Sequence, residues 1–421
     1  MKQKIFKFLA NLHFAILILL LIASISVLGT IIEQDQTIES YKQNYPLTNK
    51  LLGFLSWNMI IKSGLDHLYK TWWFISLIIT FGVSLFSCTF LQQIPTFKIA
   101  RRCQFFRTLF QFRQLKFFKI LNQSKLSNLF FKLKKNHYSI FQQKNIIYCY
   151  HGLIGRLGPI LVHFSMIIIL LGTIVTSLTG FNGQEIVPKS EMFHIQNIFS
   201  SGKITKFPEI STRINDFWIV YQDQQIIRQF YSNLSILNFN GEEIYNKTIF
   251  VNSPINYNNL DYYQTNWNLI ALRFQIQSNS FIQYPIISLT PNSDKFWLTW
   301  IPAINNLTTG LTILVNNLQG YCSIYSETGQ FLGNLELNET LTSILPYSFV
   351  ELINSAGLQI KTDPGIIIIY FGFFFLMLTV IISYKSYSQI WILKDNSKIF
   401  IGGNTSRSTF MFEFEFFKLI K

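Results

Sequence analysis

Four long, continuously apolar stretches without Asp, Glu, Lys or Arg constrain the fold of this chain most strongly. They cover residues 8–32, 71–97, 157–184 and 364–384. A helix of about 20 apolar residues crosses the roughly 30 Å hydrocarbon core of a bilayer, and each stretch is long enough to do so. The first stretch is long for the apolar core of a signal peptide and ends without a small-x-small cleavage site. The sequence therefore predicts four transmembrane helices.

The overall composition agrees with a membrane protein. Only 13% of the 421 residues are charged, whereas soluble domains usually have about a quarter, and the mean hydropathy is +0.27. This composition excludes a soluble metabolic enzyme. Four cysteines without a Cys-x-x-Cys pair exclude a zinc ribbon, a thioredoxin-type redox centre, covalent haem attachment to this chain and a secreted disulfide scaffold.

The distribution of charge predicts the orientation of the spans. Segment 91–157 has thirteen Lys or Arg and no acid, and both termini are basic, whereas segment 181–364 has nine bases and fourteen acids. Basic loops remain on the side of synthesis, so both termini and segment 91–157 are expected on the inner side. The net charge of +14 is then a topology signal, and we expect membrane lipid but no nucleic acid as a partner.

Segment 181–364 is long enough for a domain of its own. Apolar residues alternate in Phe217–Tyr221, Leu272–Ile276 and Ile313–Val315, which predicts half-buried strands, and Thr328–Gly329 predicts a hairpin turn. We expect a large, mainly antiparallel β domain, either a sandwich or a barrel, between spans 3 and 4. The predicted order is an inner N-terminus with span 1 (1–32), an outer loop (33–70), span 2 (71–91), a basic inner loop (92–157), span 3 (158–179), the outer β domain (180–363), span 4 (364–384) and an inner tail (385–421).

The sequence also predicts the structure of two segments on the inner side. The phenylalanine pairs Phe105–Phe106, Phe117–Phe118 and Phe130–Phe131 of the basic loop suit a segment that lies at the membrane interface. The tail alternates between apolar and charged residues in Phe410–Phe416, which is typical of a strand.

His163 is the strongest candidate for a functional residue. It lies five residues past Gly158, inside span 3 near the inner face, and ionisable groups within a membrane are usually functional. A neutral imidazole at this depth suits ligation of haem iron, and the alternative is a histidine that hydrogen-bonds across a helix interface. His13 and His67, near the ends of spans 1 and 2, are weaker candidates with ordinary interfacial histidines as the alternative. His137 and His151 in the basic loop are expected to be solvated.

Asp363 precedes span 4 at its outer edge. Asp before Pro364 is a helix start signal with the aspartate as N-cap, and the functional alternative is a carboxylate that orients a ligand or docks a partner. Since His163 lies near the inner face, the two residues are not expected in one site of a monomer. The sequence has no phosphate-binding Gly loop, HExxH or GxSxG motif, so no catalytic constellation and no metal site apart from one for haem iron is expected.

Several segments together resemble the ResB/CcsB family of the system II route for assembling c-type cytochromes. The resemblance covers nearly the whole length, and the order, spacing and topology of the segments make it specific. They are Ile22–Ile32 at the end of span 1, Trp72–Phe74 and Ser84–Thr89 in span 2, Gly155–Pro159 leading to His163 and Phe164, then Ile214–Phe217, Tyr231–Ser235, Val251–Tyr257, Tyr262–Trp267 and finally Asp363–Gly365.

The resemblance implies a function in which haem is handled as a substrate. In this family the protein works with CcsA, a partner with a Trp-rich haem-handling motif, to move haem outward and ligate it to CxxCH motifs of apocytochromes. It implies that His163 handles haem and that Asp363 is functional. This chain lacks the Trp-rich motif, so it is expected to be a non-catalytic subunit.

The resemblance and the composition also imply a location. A bias towards Asn, Ile, Lys and Phe is typical of AT-rich genomes such as those of plastids. We therefore expect a thylakoid membrane, with both termini and the basic loop in the stroma and the β domain in the lumen. A cyanobacterial or other bacterial membrane is the alternative.

Two other classes of function remain open. The chain could be a haem exporter without a role in attachment, for which interrupted helices at mid-membrane would be evidence, and none is evident in the sequence. It could also be a structural scaffold whose β domain docks a partner while haem is handled elsewhere. Haem that co-purifies with the chain and is lost on changing His163 would argue against the scaffold.

Overall fold

The computed structural model describes residues 2–48, 55–122, 126–222, 226–276, 280–289, 296–303, 306–315, 321–341, 347–395 and 398–420. The chain divides into two units. One consists of residues 1–177 together with 365–421, and the other, here called the sheet-rich unit, consists of residues 178–364.

Among the described helices, four are long and apolar enough to cross a membrane, which confirms the predicted number. Their most apolar windows have a mean hydropathy between 2.1 and 2.7. Such lengths match the hydrocarbon thickness of a bilayer. They are span 1 (Leu12–Ile31), span 2 (Trp72–Arg101), span 3 (Ile154–Thr179) and span 4 (Ile366–Ser383).

Span 2 ends at Arg101 rather than at residue 91, because the helix continues through an irregular turn. It consists of an α-helix Trp72–Cys88, a π-helical turn Thr89–Gln93 and a second α-helix Ile94–Arg101. A π turn is a local widening of the helix and is frequent at functional sites. Pro95 comes directly after this turn, in the first turn of the second α-helix. Proline has no backbone N–H to donate, and the π turn has already changed the regular hydrogen-bond pattern there.

Glycines allow the closest approach between spans 3 and 4. A Cβ atom on Gly155 would lie 1.8 Å from the carbonyl oxygen of Lys385, and one on Gly158 would lie 2.4 Å from Cα of Ser383. Farther along, Ser165 Oγ and Thr379 Oγ1 are 3.3 Å apart and form a hydrogen bond between the helices. Small residues at such contacts let helix backbones meet, as is common between membrane helices.

Residues 33–70, predicted as a loop, contain short helices and their own core. Ile32, Tyr41, Ile60 and Leu68 pack together and are at most 2% exposed. The shorter helices of the first unit are Lys2–Leu9, Ile38–Asn44, Trp57–Ser63, the 3₁₀ helix Leu65–Lys70, Leu109–Arg113, Leu126–Lys135 and Thr409–Ile420.

The described part of the chain has strands in both units. In chain order they are β1 (Phe117–Asn122), β2 (Ser139–Gln143), β3 (Ile146–His151), β4 (Phe181–Pro188), β5 (Met192–Phe193), β6 (Ile198–Ser201), β7 (Ser211–Gln222), β8 (Ile226–Leu237), β9 (Glu243–Phe250), β10 (Ile255–Tyr257), β11 (Leu260–Gln275), β12 (Phe281–Pro285), β13 (Ile287–Leu289), β14 (Phe296–Ala303), β15 (Asn306–Val315), β16 (Cys322–Ser326), β17 (Phe331–Leu335), β18 (Ser348–Thr362), β19 (Ser388–Asp395) and β20 (Lys398–Thr405).

The basic loop and the C-terminal tail fold together into one sheet with the order β1-β20-β19-β3-β2. Strands distant in sequence pair antiparallel, with Ile147 opposite Ile392. Both faces of the sheet are covered, because Tyr148 and Trp391 belong to the core on one face while Ile147 and Ile392 belong to the core on the other. We call residues 105–151 and 387–420 the five-stranded module.

The structure corrects one expectation about this module. The tail residues Phe410–Phe416 belong to the helix Thr409–Ile420 rather than to a strand, and Phe412, Phe416 and Leu419 are buried along one helical face. Of the phenylalanine pairs, Phe106 stacks on Trp391 with ring centroids 4.5 Å apart, whereas Phe131 is 70% exposed.

The sheet-rich unit contains antiparallel sheets, which confirms the predicted class. One sheet has the order β10-β11-β18-β4-β6 with β12 paired to β11, a second has the order β5-β7-β8-β9 and a third β13-β14-β15-β16-β17. The predicted strands lie in β7, β11 and β15, and the predicted hairpin connects β16 with β17, where Gly329 has a φ of +82°.

Two cores lie against different parts of the long pair β11 and β18. Tyr262 of β11 packs with residues of the second sheet, whereas Phe274 of β11 packs with residues of the third sheet. Register shifts at Gln264/Asn266, Leu269/Ala271 and Arg273/Phe274 interrupt this pair. Because such bulges bend strands and redirect side chains, one strand pair serves two cores. The architecture is therefore two sandwiches that share one sheet.

Candidate functional site

His163 lies in span 3 against the π-helical turn of span 2. Its Nδ1 atom is 2.9 Å from Oγ1 of Thr89, the first residue of that turn. The same Thr89 hydroxyl donates a hydrogen bond to the carbonyl oxygen of Leu85 at 2.8 Å. The imidazole is half-buried rather than enclosed in the bundle.

These two contacts favour one tautomer of His163. A threonine hydroxyl has a single proton, and the Leu85 carbonyl can only accept, so that proton is used there. The contact with His163 then requires Nδ1–H to donate to Thr89 Oγ1. In a neutral imidazole this places the lone pair on Nε2. The hydrogen bond to Thr89 therefore orients the imidazole ring of His163.

Arg156 lies on the same helix two turns before His163. Seven residues correspond to nearly two full turns and a rise of about 10 Å, so the two side chains share a face. The guanidinium of Arg156 stands 5.3 Å over the ring of Tyr387, and its Nε is buried without a hydrogen-bond partner among the described residues. Tyr387 Oη in turn donates to the carbonyl oxygen of Ala100 at 2.8 Å, which ties this end of the bundle to span 2.

An arginine nitrogen that is buried and unpaired requires an explanation, because buried donors are normally hydrogen-bonded. Anionic oxygens, above all carboxylates, are the partners that a guanidinium binds best. The site thus places His163, hydrogen-bonded to Thr89, and Arg156, whose Nε has no hydrogen-bond partner among the described residues, on one face of span 3.

The two weaker histidine candidates have local partners. Nδ1 of His13 is 3.3 Å from Oδ1 of Asn11, whose side chain caps the start of span 1. His67 lies in the 3₁₀ helix before span 2, and its Nδ1 is 2.9 Å from Oδ2 of Asp66. These contacts fit the interfacial alternative given for both residues.

Asp363 is half-buried and is not the N-cap of span 4. The helix starts at Ile366 with Gly365 at the N-cap position, two residues after Asp363. Gly365 packs against Gly172 of span 3, where a Cβ atom on Gly365 would lie 2.2 Å from the carbonyl oxygen of Gly172. Gly172 follows His163 by nine residues, about 14 Å along the helix. The start of span 4 and His163 are therefore separate places in the bundle.

His151 is not simply solvated, contrary to expectation. It is half-buried in the five-stranded module, with its ring centroid 5.3 Å from that of Tyr138. Burial lowers the pKa of His151, Lys385 and His137 lower it further, and Glu415 opposes them. His137 is exposed, as expected.

The segments of the sheet-rich unit that carry the family resemblance are mainly structural. Tyr262 is buried, and its Oη accepts a hydrogen bond from Thr212 Oγ1 at 3.1 Å. Ser232 donates to the side-chain oxygen of Gln264, and both residues are buried. These bonds connect strands of two different sheets. The aromatic and polar residues of these motifs therefore hold the sandwich together.

Sequence reasoning did not find Thr89 and Arg156. Thr89 closes the segment Ser84–Thr89 that carries the family resemblance, but nothing local indicates that it faces His163. Arg156 had a usable signal, since its spacing of seven residues from His163 places both on one helical face.

Comparison with known proteins identifies the family. A family description, the ResB-like family, matches residues 12–296 and 282–417. The chain belongs to the ResB-like family. This ResB-like chain is 62% identical over 421 residues to the cytochrome c biogenesis protein Ccs1 of Trieres chinensis, covering 100% of both chains. It is 40% identical to the cytochrome c biogenesis protein CcsB of the cyanobacterium Picosynechococcus sp., covering 98% of this chain and 90% of the relative.

A solved structure, the cytochrome c haem lyase CcmF, matches the ResB-like chain with 10% identity and a TM-score of 0.25, covering 74% of this chain and 30% of that one. With four apolar helices, the ResB-like chain is a membrane protein, and its relatives come from algae and from a cyanobacterium.

Proposed function

We propose that this chain is an assembly factor for c-type cytochromes. It acts with a CcsA-type partner in delivering haem across the thylakoid membrane and in attaching it to CxxCH motifs of apocytochromes. Full-length relatives are named cytochrome c biogenesis proteins. The observation that carries the chemistry is the bond between His163 Nδ1 and Thr89 Oγ1, which leaves Nε2 available to iron.

Arg156 sets the orientation of the haem in this proposal. With iron on His163 Nε2, a propionate carboxylate pairs with the guanidinium two turns towards the start of span 3. The propionate edge then faces the inner side, and the vinyl edge, where thioether bonds form, faces away from it. His163 is half-buried, and a residue of the partner would supply any second ligand to the iron.

The orientation in the membrane follows from charge. The basic segment 91–157 and the tail lie in the stroma, and the acidic sheet-rich unit lies in the lumen between spans 3 and 4. There it holds the apocytochrome or clamps the partner, and Asp363, at the lumenal start of span 4, docks the partner. In a cyanobacterial membrane, the same segments would lie on the inner side and on the outer side.

The chain contributes binding and positioning rather than bond-making groups. Thioether formation uses the thiols of the apocytochrome and the vinyl groups of haem. Cys322, the cysteine of the sheet-rich unit, is 2% exposed, and burial raises the pKa of its thiol to about 12. Since the thiolate is the reactive form, this cysteine is a poor candidate for thiol exchange. We therefore assign no catalytic residue to this chain.

The test is to purify the chain with its partner and to record the reduced visible spectrum of wild type and His163→Ala. We expect haem bands in the wild type that are weaker in the variant by the share of haem that His163 binds. His163→Gly with added imidazole should restore them, because free imidazole replaces the missing ligand. Haem bands that are identical in wild type and variant would place haem on the partner and favour the scaffold.

A second measurement separates assembly from simple export. A cross-linker between the sheet-rich unit and an apocytochrome carrying CxxCH should give a product in the intact complex. Haem transport without any such contact, and with unchanged cytochrome maturation in His163→Ala, would favour an exporter.

A further inference from the structure

The five-stranded module contains a cavity of about 940 Å³ that the proposed function does not use. Its walls come from the helix Leu126–Lys135, the end of β3, the segment before β19 and the helix Thr409–Ile420. The cavity opens beside the membrane helices, since His151 lies three residues before span 3 and Lys385 two residues after span 4. It is therefore placed where a ligand could pass between the inner compartment and the bundle.

The lining of this cavity combines three chemical characters. Four lysines face a single glutamate, which leaves a formal charge of +3. The imidazoles of His137 and His151 also line the cavity. The remaining walls consist of four apolar residues together with Asn136 and three serines, and the apolar side chains of Met411 and Phe414 are each 68% exposed. The charged residues are Lys132, Lys135, Lys385, Lys418 and Glu415, and the apolar ones are Met411, Phe412, Phe414 and Leu419.

We propose that this cavity is a receiving site for haem, distinct from His163, with His151 as iron ligand. The choice of haem rests on the proposed function. Lysine ammonium groups pair with the two propionates, the aromatic and aliphatic wall contacts the flat apolar macrocycle, and a histidine nitrogen binds iron. The imidazoles favour haem over an anionic lipid, for which basic and apolar surface alone would suffice.

A second cavity in the same module provides a matched control. It has about 640 Å³ and is lined by Arg107, Lys144, Lys394 and Asp395 among others, and no histidine is among the described lining residues. Charge alone would make this cavity bind haem as well. The proposal predicts that it does not.

The test is a titration of the purified full-length chain with ferric protoporphyrin IX in a His163→Ala background, which removes the site of the proposed function. We expect about one haem to bind with the Soret band of a histidine-ligated iron. Adding His151→Ala or the milder His151→Asn should abolish that band, and Lys385→Glu with Lys418→Glu should weaken binding at least tenfold. Lys144→Glu in the control cavity should leave it unchanged.

Three results would overturn the proposal. Loss of all haem in His163→Ala would leave the proposed function standing and remove this second site. Residual haem that is insensitive to both His151 variants would place it elsewhere. If the lysine reversals reduce binding to phosphatidylglycerol vesicles but leave haem binding unchanged, the cavity binds lipid headgroups. A wild-type chain that binds haem only through His151 would instead contradict the proposed function, so the two failures are distinguishable.

Discussion

Removing the hydroxyl of Thr89 tests the geometry of the His163 site without touching the ligand itself. Thr89→Val keeps the shape of the side chain and deletes the acceptor that lies 2.9 Å from Nδ1 of His163. The imidazole then loses the contact that fixes both its tautomer and its ring orientation. Iron affinity should fall because Nε2 no longer carries the lone pair in a fixed direction.

The size of the effect follows from that single bond. Loss of the outer hydrogen-bond partner of a metal-ligand histidine typically weakens metal binding by about ten- to a hundredfold. Haem affinity should therefore fall within this range, in which a tenfold loss corresponds to about 1.4 kcal/mol. Thr89→Ser retains the hydroxyl and should remain within about threefold of wild type.

The assay is a titration of the full-length chain with haem, followed at the Soret band, with Thr173→Val as control. Thr173 also lies in a span, but its hydroxyl donates only a local bond to the carbonyl oxygen of Leu170 at 2.8 Å. We expect the control to bind haem like wild type. Wild-type affinity in Thr89→Val would refute the assignment of His163 as a ligand oriented by this residue.

Three further predictions concern other groups. Arg156→Gln should reduce the preference for haem over its dimethyl ester about tenfold or more in competition titrations, because the propionate loses its partner. Arg407→Gln is the control and should retain the preference, since the wild-type guanidinium of Arg407 donates to the Ser383 carbonyl at 2.6 Å. Equal preferences in both variants would rule out the propionate contact. Gly158→Ala should lower the Tm of the purified protein, because the added Cβ meets backbone, while Gly82→Ala, with its nearest neighbour 3.6 Å away, should not. With a pKa of about 12, Cys322 should stay protonated and unlabelled by N-ethylmaleimide at pH 8 until the protein is unfolded, and the labelling rate should rise as the pH approaches 12; rapid labelling in the native protein would contradict its burial.

The spans and much of the sheet-rich unit were predictable because their signals are local. A stretch such as 364–384 needs no distant partner to be recognised as a membrane helix. Alternation in Phe217–Tyr221 and the turn at Gly329 likewise depend on neighbouring residues only. His163 was found because an ionisable residue inside a span is unusual in itself.

The five-stranded module could not be predicted from the sequence because its strands pair with strands that are distant in the chain. Its central strands pair Ile147 with Ile392, and no pattern within either segment identifies the other segment as its partner. The tail also contains two competing periodicities. Phe410–Phe416 alternates as a strand would, but Phe412, Phe416 and Leu419 also fit one face of a helix, and the apolar face of the sheet beside them favours the helix.

By itself, the sequence determined the number of membrane helices, their order along the chain, the antiparallel class of the sheet-rich unit and the candidacy of His163. Each depends on composition or periodicity within about 20 residues. Only the tertiary structure decided that Thr89 orients His163, that Nε of Arg156 is buried without a hydrogen-bond partner among the described residues, and that the basic segment folds with the tail around a cavity. The physical reason is that a hydrogen bond or a cavity wall depends on which distant segments meet in space, and packing of the whole chain decides that.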